Sequence, residues 1–214
     1  MQTRSAMPTS PRLPLALGGL VLAALVASGV APHDRATWLL EVSPVLIALP
    51  VMAATWRRFP LTPLLYVLVA LHALVLILGG TYTYARVPLG FWLQDLLHLG
   101  RNPYDKIGHF MQGLVPALAA REILLRGGYV ARAHARMAGF LGVCVAMAVS
   151  AFYELVEWWM ALALGMGAQD FLGTQGDPWD TQSDMFFALI GATVAMLAFA
   201  RWQDRQIRAL EHAG

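Results

Sequence analysis

Met137-Ala-Gly-Phe-Leu-Gly-Val-Cys-Val-Ala-Met-Ala-Val-Ser-Ala-Phe-Tyr-Glu-Leu-Val-Glu-Trp-Trp-Met160 decides the fold of this chain. A hydrocarbon core about 30 Å thick needs about 20 residues of helix to cross it. The stretch has that length, is uncharged from Met137 to Tyr153, and ends in two tryptophans of the kind that settle at a membrane interface. It then turns acidic at Glu154 and Glu157. A carboxylate at the bilayer centre costs roughly 2.5–3.5 kcal/mol on insertion scales, so such a group faces a partner, water or an ion rather than lipid. The stretch is therefore both a membrane helix and part of a polar site.

Five more segments have a similar character, near 13–32, 38–56, 62–80, 104–125 and 181–201. The expected architecture is all-α, a polytopic membrane bundle of about six helices. It divides into an N-terminal tail over 1–12, one transmembrane domain over 13–201 and a C-terminal tail over 202–214. With 58% hydrophobic and 13% charged residues, the 214-residue chain departs from soluble averages in the direction that long apolar runs produce. Trp38, Trp56, Tyr82, Tyr84, Tyr104, Trp179 and Trp202 lie at or just outside the segment ends, as interfacial aromatics do. The fourth segment is the least regular, mostly apolar only from Ile107 to Ala120 and interrupted by Pro116. Within the connection 81–103, residues 89–98 have the pattern of a helix lying along the interface. Cys144 is the single cysteine, so no intrachain disulfide forms.

Six spans place the connections alternately on two sides, and lysine and arginine mark the cytoplasmic one. One side holds Arg4, Arg12, Arg57, Arg58, Arg121, Arg126, Arg132, Arg136, Arg201, Arg205 and Arg208. The other holds Arg35, Arg86, Arg101 and Lys106. The split predicts an inner-membrane protein with both termini cytoplasmic. The first segment also has the make-up of a secretory signal, with Arg4 and Arg12 before an apolar run ending in small residues near Ala27. Its removal would leave five spans and the same side assignment.

On this topology three polar clusters fall at the outer ends of helices. Asp105, His109 and Gln112 are spaced i, i+4, i+7 and share one helical face. Glu154 and Glu157 are i, i+3, and Asp177, Asp180 and Asp184 are i, i+3, i+7. Asp105, Asp177 and Asp180 are equally explained as acids at helix starts, where free N–H groups favour negative charge. Glu154 and Glu157 lie near a helix end that disfavours them, and they repel each other.

Carboxylates and imidazole on inward faces are how helical bundles hold metals. Asp105, His109, Glu154, Glu157, Asp180 and Asp184 are the candidate ligands for a divalent cation of unassigned identity. Glu154, Glu157 and His109 are also the candidate catalytic groups, as general base or proton donor. Arg86, Arg101, Lys106 and Gln112 are candidates for holding substrate; Arg86 and Arg101 hold a lipid phosphate or balance the carboxylates, and Lys106 pairs with a neighbouring acid or a lipid phosphate. A polar network that only fixes helix packing fits the same residues. His72 reads as a packed histidine, Glu41 as either a first-turn acid or a member of the cluster, and the arginines between 121 and 136 as charges on the anionic inner surface.

No phosphate-binding loop, dinucleotide fingerprint or hydrolase elbow occurs, which argues against a primary pump or kinase. Partners are membrane lipids and a lipid-linked substrate, with no nucleic acid; the oligomeric state is left open. An enzyme, a proton- or cation-coupled transporter and a non-catalytic scaffold all stay compatible with these residues.

Four stretches in order carry a family resemblance: Thr81-Tyr-Thr-Tyr-Ala-Arg-Val-Pro88, Tyr104-Asp-Lys-Ile-Gly-His-Phe-Met-Gln-Gly113, Phe152-Tyr-Glu-Leu-Val-Glu-Trp-Trp159 and Gly173-Thr-Gln-Gly-Asp-Pro-Trp-Asp-Thr-Gln-Ser-Asp-Met185. Together they resemble the bacterial YjdF-type inner-membrane family, a domain of unknown function. More distantly, Asp105-Lys106 followed by His109-Phe110, membrane glutamates and an Asp-rich helix start is similar to VanZ-like proteins. That similarity implies a cell-envelope theme and no particular reaction. The chain has Gln175 and Gly176 near the place where the VanZ-like pattern carries an arginine.

Overall fold

The computed structural model describes residues 11–164 and 175–212. The expected N-terminal tail with Arg4, apart from its last two residues, and the final two residues of the chain lie outside the described residues. The described elements are α1 (Arg12–Ser28), α2 (Arg35–Thr55), α3 (Pro63–Tyr82), α4 (Pro88–Leu97), α5 (Tyr104–Arg126), a 3-10 turn (Arg132–His134), α6 (Ala135–Leu164), α7 (Asp180–Val194) and α8 (Ala200–His212). A π-helical turn, Ala195–Phe199, carries α7 into α8 without a break. No strand occurs among the described residues.

Local chemistry explains where these helices start and stop. The Asp34 side chain accepts from the Thr37 amide at 2.7 Å and caps α2, while Pro63 and Pro88 open α3 and α4. Left-handed Thr83 and His98 close α3 and α4. Pro116 does not interrupt the fourth expected segment: α5 runs through it, because α3, α6 and α7 hold the helix from three sides.

Helix α5 is the hub. A Cβ on Gly113 would overlap the Ala188 carbonyl of α7, one on Gly191 would overlap the Phe110 carbonyl of α5, and one on Gly142 would lie 2.6 Å from the Ala117 carbonyl oxygen. These glycines let the three backbones touch, the way helices pack where lipid removes the hydrophobic drive. Leu65, Leu68, Leu114, Leu118 and Ala192 fill the space around them. Val21, Leu25, Val42, Val45 and Ile77 join α1, α2 and α3.

The burial pattern is inside-out. Leu197 is 80% exposed and Leu15 66%, whereas Glu122 and Gln203 are fully buried. Such a surface suits lipid, with the polar groups turned inward. Among the described residues, four helical stretches are long and apolar enough to cross a membrane: α2, α3, the stretch from Arg132 through α6, and the continuous α7–α8. Helix α1 is shorter, at 17 residues. Helix α5 is long but carries Asp105, Lys106, Arg121, Glu122 and Arg126, and the surrounding helices shield it. On α4, Phe91, Trp92, Leu96 and Leu97 are exposed, as an interfacial helix requires.

One expectation is corrected at the far end of the bundle. Arg121 is not a surface charge: it is 3% exposed and donates to Gln203 Oε1 at 2.9 Å and Asp204 Oδ1 at 2.7 Å on α8. Next to it Glu122 accepts from the Thr62 amide and hydroxyl, from Arg126 and from Gln203. The i, i+1 order of Arg121 and Glu122 hides these pairings, because apart from Arg126 the partners come from α8 and from Thr62 at the start of α3.

Candidate functional site

The Tyr104 end of α5 meets the start of α7 and the second half of α6, so groups far apart in sequence share one space. Lys106 Nζ lies 2.9 Å from Asp180 Oδ1, 2.7 Å from Asp184 Oδ1 and 3.4 Å from Asp105 Oδ2. Arg101 pairs with Asp180, with Asp105 at 3.1 Å and with Asp177 at 3.8 Å. Burial disfavours the Arg101 charge, but Asp105 and Asp180 outweigh it and raise its pKa. Two cations and four carboxylates thus form a mostly buried network.

Asn102 holds this corner in place. It is 1% exposed, donates through Nδ2 to the Val87 carbonyl at 3.1 Å, and accepts from the Tyr104 amide at 3.1 Å. Its backbone exchanges hydrogen bonds of 3.2 and 3.0 Å with the Gln175 side chain, which ties the approach to α7 onto the start of α5. Gly90 leaves the space its side chain fills.

One turn further along α5, the His109 ring stands between two carboxylates. Nδ1 is 3.8 Å from Glu154 Oε1, and Nε2 is 3.6 Å from Asp184 Oδ1. Gln112 Oε1 lies 3.1 Å from Nδ1. In this orientation Gln112 accepts from Nδ1–H, which leaves a lone pair on Nε2 facing a carboxylate oxygen. Glu154 Oε1 is buried and has no hydrogen-bond partner. One ligand atom from each of His109, Glu154 and Asp184 lies within 4.8 Å of the other two, and the same holds for Asp105, Asp180 and Asp184.

Beside the imidazole lies a cavity of about 70 Å³, reached by His109, Gln112, Asp184, Glu157, Glu41 and Tyr84 among others. Glu157 is turned into this cavity and belongs to neither metal-spaced group. The Tyr153 hydroxyl donates to Glu41 Oε2 at 2.9 Å. Glu41 is not a first-turn acid, because the Asp34 cap starts α2 at Arg35 and leaves Glu41 almost two turns inside. Arg86 is exposed and takes part in none of these pairs.

Residues 13–205 match the family described as "Predicted membrane protein (DUF2238)". The chain belongs to the DUF2238 family. It is 61% identical over 184 residues to "Inner membrane protein YjdF" of Escherichia coli (strain K12), which covers 86% of this chain and 87% of that protein. No solved structure matches. With its apolar helices and lipid-facing surface, this DUF2238 chain is a multi-pass inner-membrane protein.

Sequence reasoning passed over Asn102, Gln175 and Tyr153 as site residues of this DUF2238 chain. Their signal was weak, since each acts through a partner more than fourteen residues away. The identity of the acid that Lys106 pairs with was equally invisible. Adjacent Asp105 is the most distant of its three carboxylates.

Proposed function

We propose that this chain spans the inner membrane six times with both termini in the cytoplasm, and that His109, Glu154 and Asp184 bind one divalent cation at the outer leaflet. The bound cation would act as a Lewis acid on a lipid-linked or cell-envelope substrate. The eleven-to-four division of basic residues supports the orientation, which puts the Tyr104 end of α5 outside.

A single observation carries the metal reading: three acceptors converge where nothing donates to Glu154 Oε1. Ligands about 2.0–2.2 Å from a tetrahedral metal stand about 3.3–3.6 Å apart. The 3.6 Å gap between His109 Nε2 and Asp184 Oδ1 is at that spacing. Gln112 then fixes the tautomer, as outer partners of metal-bound histidines do. Lys106 and Arg101 already pair with Asp105, Asp180 and Asp184, so the second metal-spaced group has its cations built in, and Asp184, whose Oδ1 also accepts from Lys106, is the residue the two groups share. Glu157 meets the substrate from the cavity wall instead of the metal.

Elemental analysis of detergent-purified protein loaded with zinc, manganese, magnesium or calcium tests this. About one divalent cation per chain is expected in the wild type and in Glu157→Gln, with loss in His109→Ala and Glu154→Gln at unchanged folded yield. Equal metal content in all four proteins would overturn it.

A second reading, a proton or cation relay, draws on His72 Nε2 and Ser150 Oγ, both buried without a partner. Ser150 lies one helical turn from Glu154, toward the Ala135 end of α6. Proton flux into liposomes that is lost in Ser150→Ala and His72→Phe would favour the relay over the one-sided site.

A further inference from the structure

We propose that the cavity beside His109 binds a primary ammonium group, held between Glu41 of α2 and Glu157 of α6. This goes beyond the metal reading and does not require it.

The charge on the cavity wall makes the case. Glu41, Asp105, Glu157, Asp180 and Asp184 all reach it, and among the described residues neither lysine nor arginine does. Lys106 and Arg101 are spent on Asp105, Asp180 and Asp184, which leaves Glu41 and Glu157 without a cation among the described residues. Glu41 accepts from Tyr153, and a carboxylate with about four lone-pair positions keeps acceptor capacity after that. No donor among the described residues reaches Glu157 by a hydrogen bond. Two carboxylates from different helices thus line one small cavity.

The shape selects among cations. Neither Glu41 nor Glu157 belongs to a group with metal-ligand spacing. An ammonium carries three donors and tolerates wider gaps, with N···O contacts of about 2.7–2.9 Å. The cavity of about 70 Å³ admits such a head and its first methylenes. Tyr84 and Tyr153 supply aromatic wall, which attracts cations. The Tyr84 ring is fixed there: its backbone is left-handed at φ 47°, its ring occupies the space a Gly79 side chain would need, and a Cβ on Gly108 would come within 3.0 Å of it.

An amine headgroup of a lipid and a free small amine share this chemistry, and separate arms distinguish them. In one arm, chelator-treated protein in phosphatidylglycerol nanodiscs is titrated with ethanolamine, and with ethylene glycol as the uncharged counterpart. In the other, native mass spectrometry compares retention of phosphatidylethanolamine with that of phosphatidylglycerol. Binding of ethanolamine over ethylene glycol assigns a free amine, and preferential retention of phosphatidylethanolamine assigns a lipid. The Glu41→Gln/Glu157→Gln double variant should weaken either by about tenfold or more, the loss expected for a charged hydrogen bond. Should wild-type protein show no preference in either arm, or the folded double variant bind as wild type does, the ammonium site is wrong. Because the protein is stripped of metal, failure of the metal reading leaves this outcome unaffected.

Discussion

Lys106 donates to Asp184 across the α5–α7 interface, with Nζ 2.7 Å from Oδ1. The contact puts an ammonium at the centre of Asp105, Asp180 and Asp184, in the place a metal would otherwise take. Removing one partner of a buried pair leaves the other charge uncompensated, which costs about 3–5 kcal/mol. Lys106→Met should therefore lower the melting temperature in detergent sharply, and added divalent cation should restore part of it by occupying the vacated group. An unchanged melting temperature would show that the network contributes nothing to stability.

The contact between α5 and α7 depends on absent side chains. Gly113→Leu and Gly191→Leu each drive carbon into the facing backbone carbonyl, which a repacked side chain cannot relieve. Monodisperse yield on size exclusion should collapse for both. Gly100→Ala, with nothing within 4 Å of its Cβ, should behave as wild type.

At the other end, Glu122 is fully buried and accepts four hydrogen bonds, two of them from Thr62. Glu122→Gln keeps the shape but turns one acceptor into a donor facing donors. A loss of about 3–5 kcal/mol is expected, the range for breaking a buried charged network. Glu211→Gln removes the partner of an exposed Arg132 pair and should change stability by about 1 kcal/mol or less. Chemical denaturation of the two variants side by side distinguishes them.

Asp34 links the start of α2 to pH. Its pKa is lowered by the Thr37 backbone hydrogen bond, so its contribution is full above the unfolded carboxyl value and is lost as pH falls through the lower folded value. Asp34→Ala should cost about 1 kcal/mol at neutral pH, the usual worth of such a cap, and the difference from wild type should vanish in acid. Hydrogen exchange at the Thr37 amide reports both effects.

The i, i+4, i+7 spacing of Asp105, His109 and Gln112 states directly that the three share a helical face, and the structure keeps them there. The Glu154 and Glu157 pair is different. Three residues advance a helix by about 300°, so the two carboxylates diverge by about 60° around the axis. That divergence sends Glu154 to His109 and Glu157 into the cavity shared with Glu41. Spacing alone places them together; only the position of α2 and α7 around α6 separates their surroundings.

By itself the sequence determines that this is a helical membrane protein with its polar residues gathered toward helix ends, because hydropathy and charge follow from residue order and the cost of polar groups in lipid. It does not decide which acid meets Lys106, that Arg121 is buried, or that Glu41 and Glu157 line one cavity. Those depend on how closely α5 approaches its neighbours. Glycines 113, 142 and 191 set that approach through contacts between residues dozens of positions apart, and no local pattern encodes the partner on the far side.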